Sequence, residues 1–239
     1  MNQGTTVSLT WPKLIAFGLV VALLGAAGGW LASSATLDKA VHAYIVEHPE
    51  VLPEAMENLR KQDDAKQLAG VRGELFQPWP GAVLGNPNGK KVLVEFADYA
   101  CGYCQRSVAD VEALIAENPD LKVVVRELPI LSPNSAEAAK MALAAAEQGK
   151  YAAFHSAMYR IGKPDAQTIA AAAQAAGLDL DRARKAMADP RLDSEISRNL
   201  DLARRLGFQG TPSWVAGDRL LSGAVGKDKL ADAIAELKG

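Results

Sequence analysis

Cysteine is scarce in this sequence, and neither sign of charge dominates. The 239 residues include two cysteines, which are too few for a disulfide-stapled scaffold or a four-cysteine zinc module. The 26 basic and 28 acidic side chains give a net charge of -2, without the basic excess of a nucleic-acid-binding protein. Hydrophobic residues make up 49% of the chain, which excludes wholesale disorder. We therefore expect a folded protein that has no nucleic-acid partner and uses its two cysteines as a pair.

Charge is also absent from residues 14–35, and Lys13 is the only charged residue among the first 37. Two interpretations of residues 1–36 compete. An uncharged run of this length can span the ~30 Å hydrocarbon core as an anchor, or its first half can serve as a signal peptide with cleavage near Ser33 and Ala35. Both interpretations export the remainder of the chain, and the lone lysine on the N-terminal side agrees with that orientation.

Residues 37–69 form a separate segment with seven acids and four bases. An apolar stripe runs through this segment at spacings of three or four residues: Leu37, Val41, Tyr44, His48, Leu52, Ala55 and Leu59. The spacing predicts one or two short amphipathic helices, interrupted near Pro49 and Pro53. The stripe either packs on the chain's own domain or joins copies of the chain as a homo-oligomer, because short helices outside a domain need a partner surface.

Residues 70–239 are predicted to form one α/β domain. Strand-like runs occur at residues 91–96, 121–128, 213–216 and 219–221. A helical pattern fills residues 107–117 between the first two strands, which makes a parallel βαβ unit. Residues 135–206 show helical patterns, with breaks expected at Gly149, residues 162–164, Gly177 and Pro190, and are predicted to be an all-helical insertion. A closing helix is expected near residues 227–237.

The two cysteines form a Cys-Gly-Tyr-Cys motif at residues 101–104, between the first strand and its helix. A helix N-terminus favours the thiolate form of Cys101, and the one-turn spacing allows a disulfide to Cys104 to form and break. Cys101 is therefore the expected nucleophile, and Cys104 the residue that resolves a mixed disulfide. The alternatives are an inert disulfide and a metal site. The other half of a zinc site is missing, and Gln105 stands where c-type haem attachment needs histidine, so we predict no metal.

Together these features resemble the DsbA-like branch of the thioredoxin superfamily, which comprises bacterial envelope thiol-disulfide oxidoreductases. The resemblance rests on residues 94–99 leading into the Cys-Gly-Tyr-Cys motif, on the helical insertion, and on Gly-Thr-Pro-Ser-Trp-Val at residues 210–215. It covers about residues 84–239. The segment at residues 37–59 resembles the N-terminal helical segment of the ScsC and Com1-like subgroup, in which such segments can mediate oligomerisation. The resemblance implies a thioredoxin fold with an all-helical insertion, preceded by a hydrophobic and a helical segment.

The resemblance also implies roles for single residues. Pro212 would carry a cis peptide bond opposite the cysteines, and Thr211 would offer its backbone to an extended substrate segment. Gly102 and Tyr103 would belong to the same substrate site. Glu95 interrupts an apolar strand, where a buried carboxylate is costly, and would be an acid of raised pKa that shuttles the proton of the resolving cysteine. The other interpretation of Glu95 is a solvent-facing position at the strand end.

The expected activity is thiol-disulfide exchange on unfolded or misoxidised envelope proteins in the bacterial periplasm. It would need no cofactor beyond the dithiol, and a membrane redox partner would reset that dithiol. Isomerase or reductase is favoured over oxidase, because strong oxidants of the family carry Pro-His where this chain has Gly102 and Tyr103, and because Thr211 resembles the isomerase branch. The non-enzymatic alternative is a membrane-anchored scaffold or copper-binding protein that reuses the fold.

Overall fold

The computed structural model describes residues 11–237. The first ten residues of the predicted signal or anchor segment lie outside that range, and the side chains at the predicted cleavage positions Ser33 and Ala35 also lie outside the description. The chain divides into two compact units, Met1–Leu59 and Arg60–Gly239, and each is described by itself.

Two helices account for the N-terminal part of the chain. Helix α1 spans Trp11–Glu47 and helix α2 spans Val51–Ala69. The break between them falls at Pro49, as predicted, whereas Pro53 lies in the first turn of α2, where proline is tolerated. The first predicted amphipathic helix is not separate, since α1 continues from the uncharged run. None of the helices built from the described residues is long and apolar enough to cross a membrane.

A five-stranded sheet forms the centre of the second unit. Its strands are β1 Val83–Gly85, β2 Lys91–Ala97, β3 Leu121–Glu127, β4 Ser213–Ala216 and β5 Arg219–Ser222. Its further helices are α3 Arg72–Leu75, α4 Gly102–Glu117, α5 Ser135–Ala146, α6 Tyr151–Ile161, α7 Ala166–Ala175, α8 Leu180–Met187, α9 Pro190–Arg205 and α10 Lys227–Ala235. The strand order is β1-β3-β2-β4-β5, in which β2 and β3 are parallel and the other pairs antiparallel. The predicted βαβ unit, insertion and C-terminal hairpin are all present, and β1 is an addition that the sequence pattern did not predict.

The boundaries of the insertion helices follow from local chemistry. Gly149 and Gly177, which follow α5 and α7, have φ angles of +69° and +68°, a conformation that favours glycine after a helix. Helix α9 begins with Pro190 directly after Asp189, whose carboxylate accepts a hydrogen bond from a backbone N–H of the first turn. These glycines and this proline are the breaks expected from the sequence.

Successive side chains of β2 point to opposite faces of the sheet, and each face carries its own apolar cluster. Val94 and Phe96 pack in one apolar cluster, which also contains the fully buried Leu68 of α2, so the compact unit begins before residue 70. Leu93 packs in the other cluster together with both cysteines and the insertion helices. Glu95 is in phase with Leu93, and its side chain therefore points to the face that carries the dithiol.

Candidate active site

Helix α4 begins at the dithiol. Cys101 is the N-cap residue, with an extended backbone, and its Sγ accepts a hydrogen bond from the backbone N–H of Cys104 at 3.4 Å. The Cys101 N–H is in turn bonded to the carbonyl oxygen of Asp98 at 2.9 Å. The Cys101 sulfur thus lies at the end of the helix where backbone N–H groups are unpaired, and Cys104 lies within the first turn, as the sequence predicted.

Both cysteines are free thiols, and both are buried. Cys101 is 5% exposed and lines a cavity of about 40 Å³ together with Tyr159 and Lys163, whereas Cys104 is 1% exposed and does not line it. Burial, and after it the charge of Glu95, raises the pKa of the Cys104 thiol. Cys101 is less exposed than its place at a helix end suggested, and Gly162 and Lys163 of the loop after α6 line the same cavity.

The Thr211–Pro212 peptide bond is cis, as the resemblance implied. The carbonyl oxygen of Thr211 lies 3.2 Å from the Sγ of Cys101 and accepts its hydrogen bond, although the two residues are 110 positions apart in the chain. The Thr211 hydroxyl is buried without a hydrogen-bond partner among the described residues, yet it lies close enough to Cys104 to lower the pKa of that thiol. A cavity of about 290 Å³ opens beside this loop and is lined by residues 209–213 among others.

Glu95 is 3% exposed, which rules out the solvent-facing interpretation. It pairs in register with Val125 on one side and Trp214 on the other, and this apolar setting raises the pKa of its carboxyl to about 8 through desolvation. The carboxyl lines a cavity of about 150 Å³ whose wall also includes His155 and the exposed Glu112. Glu95 is therefore a buried acid whose charge acts on the Cys104 thiol, and it lines a mainly apolar cavity.

A second polar cluster lies on the same face and was not predicted from the sequence. The Glu127 carboxylate accepts hydrogen bonds from the hydroxyl groups of Tyr99 at 3.1 Å and Tyr151 at 2.7 Å. His155 Nδ1 lies 3.3 Å from the Tyr99 hydroxyl, and burial lowers the pKa of His155 to about 4. Burial also raises the pKa of Glu127 to about 8. The sequence feature that could have indicated Glu127 is a glutamate within a mainly apolar strand, the same kind of feature that drew attention to Glu95.

The two residues between the cysteines lie at the surface. Gly102 is exposed and Tyr103 is 58% exposed, and the guanidinium of Arg106 lies 4.3 Å from the centre of the Tyr103 ring. The structure therefore brings Cys101, Cys104 and Glu95 together with the 211–212 loop, and it places Gly102 and Tyr103 on the outer side. Within residues 11–237, no group of three or more histidine, cysteine or acidic side chains is placed to hold a metal ion.

Comparison with known proteins extends this description. A family model for the DSBA-like thioredoxin domain matches residues 92–235, and one for the copper resistance protein ScsC N-terminal domain matches residues 35–66. The chain is 42% identical to a thioredoxin-like oxidoreductase of known structure from Silicibacter pomeroyi DSS-3, covering 69% of this chain and 95% of that one with a TM-score of 0.66. A structure of Proteus mirabilis ScsC in a transitional conformation is 30% identical and covers 84% of this chain and 97% of that one, with a TM-score of 0.65.

The curated relatives include Na(+)/H(+) antiporters. The chain is 30% identical over 157 residues to the Na(+)/H(+) antiporter NhaA 3 of Salinispora tropica. The matched residues make up 64% of this chain and 24% of that protein. The chain thus spans about a quarter of the length of the curated relatives it matches.

Proposed function

Because the chain belongs to the DSBA-like thioredoxin domain family, whose thioredoxin fold it shares, we propose that it catalyses thiol-disulfide exchange on proteins outside the cytoplasm. The match to the ScsC N-terminal domain agrees with the resemblance to ScsC proteins. One observation supports the proposal above all. The Cys101 sulfur lies at the N-terminus of α4, 3.2 Å from the carbonyl oxygen of Thr211, with Cys104 one turn behind it.

In the reducing direction, the Cys101 thiolate attacks a substrate disulfide. The substrate S–S bond breaks, a mixed disulfide to Cys101 forms, and one substrate sulfur leaves as thiolate. Cys104 then attacks the Cys101 sulfur, so that the substrate is released with both sulfurs reduced and the dithiol is oxidised. An isomerase departs from this path when a different thiolate of the substrate attacks the substrate sulfur of the mixed disulfide first, which forms a new substrate disulfide and returns Cys101 to its reduced form.

The resolving step requires Cys104 to lose a proton that burial holds on its sulfur. Glu95 is the buried acid whose charge acts on the Cys104 thiol, and burial raises the pKa of its carboxyl to about 8. A carboxyl of that pKa accepts a proton near neutral pH and also gives it back, as a proton shuttle must. We assign this role to Glu95, which lines a mainly apolar cavity together with His155 and the exposed Glu112.

The test replaces one cysteine at a time. Cys104→Ser should accumulate mixed disulfides with envelope proteins, because attack persists while resolution is lost. Cys101→Ser is the matched control and should form none. Reduction of insulin by a catalytic amount of the wild-type protein measures the complete cycle. Failure of the wild type to speed insulin reduction, together with the absence of adducts in Cys104→Ser, would favour the scaffold alternative.

Isomerase or reductase remains our proposed direction. Gly102 and Tyr103 bring no imidazole between the cysteines, so the reduced Cys101 is stabilised less than in strong oxidants of the family. We expect the dithiol to be more reducing than DsbA, whose potential is about -120 mV. Equilibration with glutathione buffers gives the potential, and a value at or above that of DsbA would establish the oxidase alternative.

The place of action follows from the uncharged run at residues 14–35, which favours export. We propose the bacterial periplasm, with unfolded or misoxidised envelope proteins as substrates and a membrane redox partner that resets the dithiol. Fractionation of cells that carry the full chain, followed by mass analysis of the purified protein, tests export and cleavage together.

We also propose that residues 37–69 join copies of the chain. Large apolar side chains along this segment are about half exposed or more: Leu37 63%, Val41 50%, Tyr44 55%, Leu52 49% and Leu59 58%. An exposed stripe of this kind at helical spacing is typical of a protein-protein contact. Several dithiols in one assembly also raise their effective concentration at a bound substrate, which benefits an isomerase.

The copper alternative is supported by a single observation, the match of residues 35–66 to a domain described as part of a copper resistance protein. The two thiols are the soft ligands that such a role would use. Metal analysis of the reduced protein after exposure to Cu(I), with Cys101→Ser as control, decides whether the dithiol holds copper.

A further inference from the structure

The cavity of about 150 Å³ at Glu95 is walled by residues of β1, β2, α4 and α6. It shares no lining residue with the cavity at Cys101 or with the cavity beside the 211–212 loop, so it is separate from the proposed substrate site. A cavity of this volume with an aliphatic wall accommodates one molecule of about the size of benzene. The apolar part of the wall is formed by Leu84, Val108, Val111, Ile115 and Ala152.

The Glu95 carboxyl is the deeply buried acid of this wall. It is 3% exposed, and no hydrogen bond or ion pair joins its side chain to another group in the part of the chain that the structure describes. The other buried glutamate of this face differs, because Glu127 accepts hydrogen bonds from Tyr99 and Tyr151. A buried polar group without a partner is costly, and a donor placed in the cavity would remove that cost.

The charges around the cavity favour a positively charged donor. Glu112 lines the cavity and is exposed, so a second carboxylate stands at its opening. His155 also lines it, and because burial lowers the pKa of this imidazole to about 4, the ring is neutral near neutral pH. The described lining residues include no lysine or arginine. A cation that enters therefore meets two carboxyls and no opposing positive charge.

We propose that this cavity binds a small primary amine carried on a ring or chain of about six carbons, whose ammonium group donates a hydrogen bond to the Glu95 carboxylate while its carbon part packs on the apolar wall. An ammonium ion beside Glu95 makes the carboxylate a weaker base for the Cys104 proton. A bound amine should therefore slow the resolving step. This consequence rests on the function proposed above, whereas the binding itself does not.

The experiment compares benzylamine with benzyl alcohol, which has a similar shape but no charge. Ligand-observed NMR titration of the reduced full chain near neutral pH gives both affinities. Benzylamine should bind at least about tenfold more tightly, because only its ammonium forms a charged pair with Glu95. Glu95→Gln should lower the affinity for benzylamine to that for the alcohol. Equal affinities of wild type for the two ligands, or no binding of benzylamine, would overturn the inference and leave a cavity that holds water only.

Two variants on α6 locate the bound amine. Ala152 is exposed and lines the cavity, so Ala152→Phe should fill the opening without touching Glu95 and should weaken benzylamine binding at least about tenfold. Ala153→Phe is the matched control, since Ala153 is the exposed neighbour that does not line the cavity, and it should bind benzylamine as wild type does. Undiminished binding by Ala152→Phe, or equal losses in the two variants, would contradict this location even if Glu95→Gln does not fold.

The effect on activity is measured separately. Saturating benzylamine should slow insulin reduction by wild type several-fold and leave the rate of Ala152→Phe unchanged. Alkylation of Cys101 by iodoacetamide should stay the same, because the amine acts on resolution and not on attack. Binding without slowing would keep the site and contradict its link to resolution. A wild type that binds benzylamine but does not reduce insulin would instead contradict the proposed function and leave the binding site standing.

Discussion

Two buried carboxyls, Glu95 and Glu127, lie on the dithiol side of the sheet, and burial raises the pKa of each from 4.5 to about 8. Between about pH 4.5 and pH 8, the folded protein therefore holds more protons than the unfolded chain. The free energy of unfolding falls as the pH rises through this window, because the unfolded chain ionises first, and the fall ends above about pH 8 where both states are ionised. Both groups thus destabilise the fold at neutral pH.

Glu95→Gln should flatten this pH dependence. A fully shifted group contributes about 1.4 kcal/mol per pH unit within the window, so the variant should lose about half of the slope that the two glutamates give together. It should also be more stable than wild type at pH 8 while it resolves mixed disulfides more slowly. Urea denaturation at pH 5, 6.5 and 8 measures the slope, and equal slopes in the two proteins would contradict the burial of a titrating carboxyl at this position.

The two thiols should differ in reactivity. Cys104 is 1% exposed and its pKa is raised by burial, whereas Cys101 lines a cavity at the end of α4. Iodoacetamide should therefore modify Cys101 at least tenfold faster than Cys104 in the reduced folded protein near neutral pH. Peptide mass mapping of a time course gives both rates, and comparable labelling of the two residues would refute the assignment of nucleophile and resolving cysteine.

At the scale of elements, a buried guanidinium joins the sheet to the helices around it. Arg126 in β3 is 1% exposed and donates hydrogen bonds to Glu195 at 2.8 Å and to Asn199 at 3.2 Å, both in α9. It also donates to the carbonyl oxygen of Leu75 at the end of α3. Asn199 donates in turn to the carbonyl oxygen of Glu127, so the network reaches the strand that carries the second buried carboxyl.

Removal of one partner from this network should be costly. Glu195→Ala leaves the Arg126 charge buried without its carboxylate, and we expect a loss of about 3–5 kcal/mol in the free energy of unfolding. Asp193→Ala on the same helix is the matched control. Asp193 pairs with Lys140 at 2.6 Å but is 62% exposed, so its loss should cost less than about 1 kcal/mol. Denaturant titration of both variants checks the difference, and similar losses would show that the buried pair has no special weight.

At the scale of the whole molecule, the proposed oligomer depends on the exposed stripe of residues 37–59. The large apolar side chains along it are about half exposed or more, and the segment matches the ScsC N-terminal domain over residues 35–66. Isolated helices with an exposed apolar face gain stability mainly from tertiary or quaternary packing. Self-association therefore accounts for this face better than solvent exposure does.

The chain from Thr36 onward should sediment as a dimer or larger oligomer at tens of micromolar. Replacing Val41 and Tyr44 by lysine should convert it to a monomer, because charge on the apolar face opposes packing. The control is Glu54→Lys, an exposed change of the same charge type off the stripe, which should leave the mass unchanged. A monomeric wild-type chain would contradict the proposed oligomer and favour packing of the stripe on the chain's own domain.

The sequence by itself determined the local elements and the chemistry of the dithiol. Hydrophobic periodicity, the breaks at glycine and proline, and the Cys-Gly-Tyr-Cys motif depend on residues near one another in the chain, and so does the placement of Cys101 at a helix N-terminus. The resemblance added the thioredoxin fold and the cis bond before Pro212. The predicted helices and strands of the second unit, the position of Cys101 and the cis bond agree with the structure, apart from the short elements β1 and α3, which were not predicted.

Only the tertiary structure decided which distant residues meet at the dithiol. Strand order and packing of the insertion bring Thr211 to Cys101 and bury Glu95. They also place the Asp98 carboxylate where it accepts hydrogen bonds from the N–H groups of Ala100, Ile130 and Leu131. Burial sets the pKa of a carboxyl through its surroundings, and those surroundings come from strands and helices far away in the chain. The hydrophobic pattern of one segment predicts which face of the segment a side chain occupies. The groups that pack against that face come from distant parts of the chain, and only the tertiary structure identifies them.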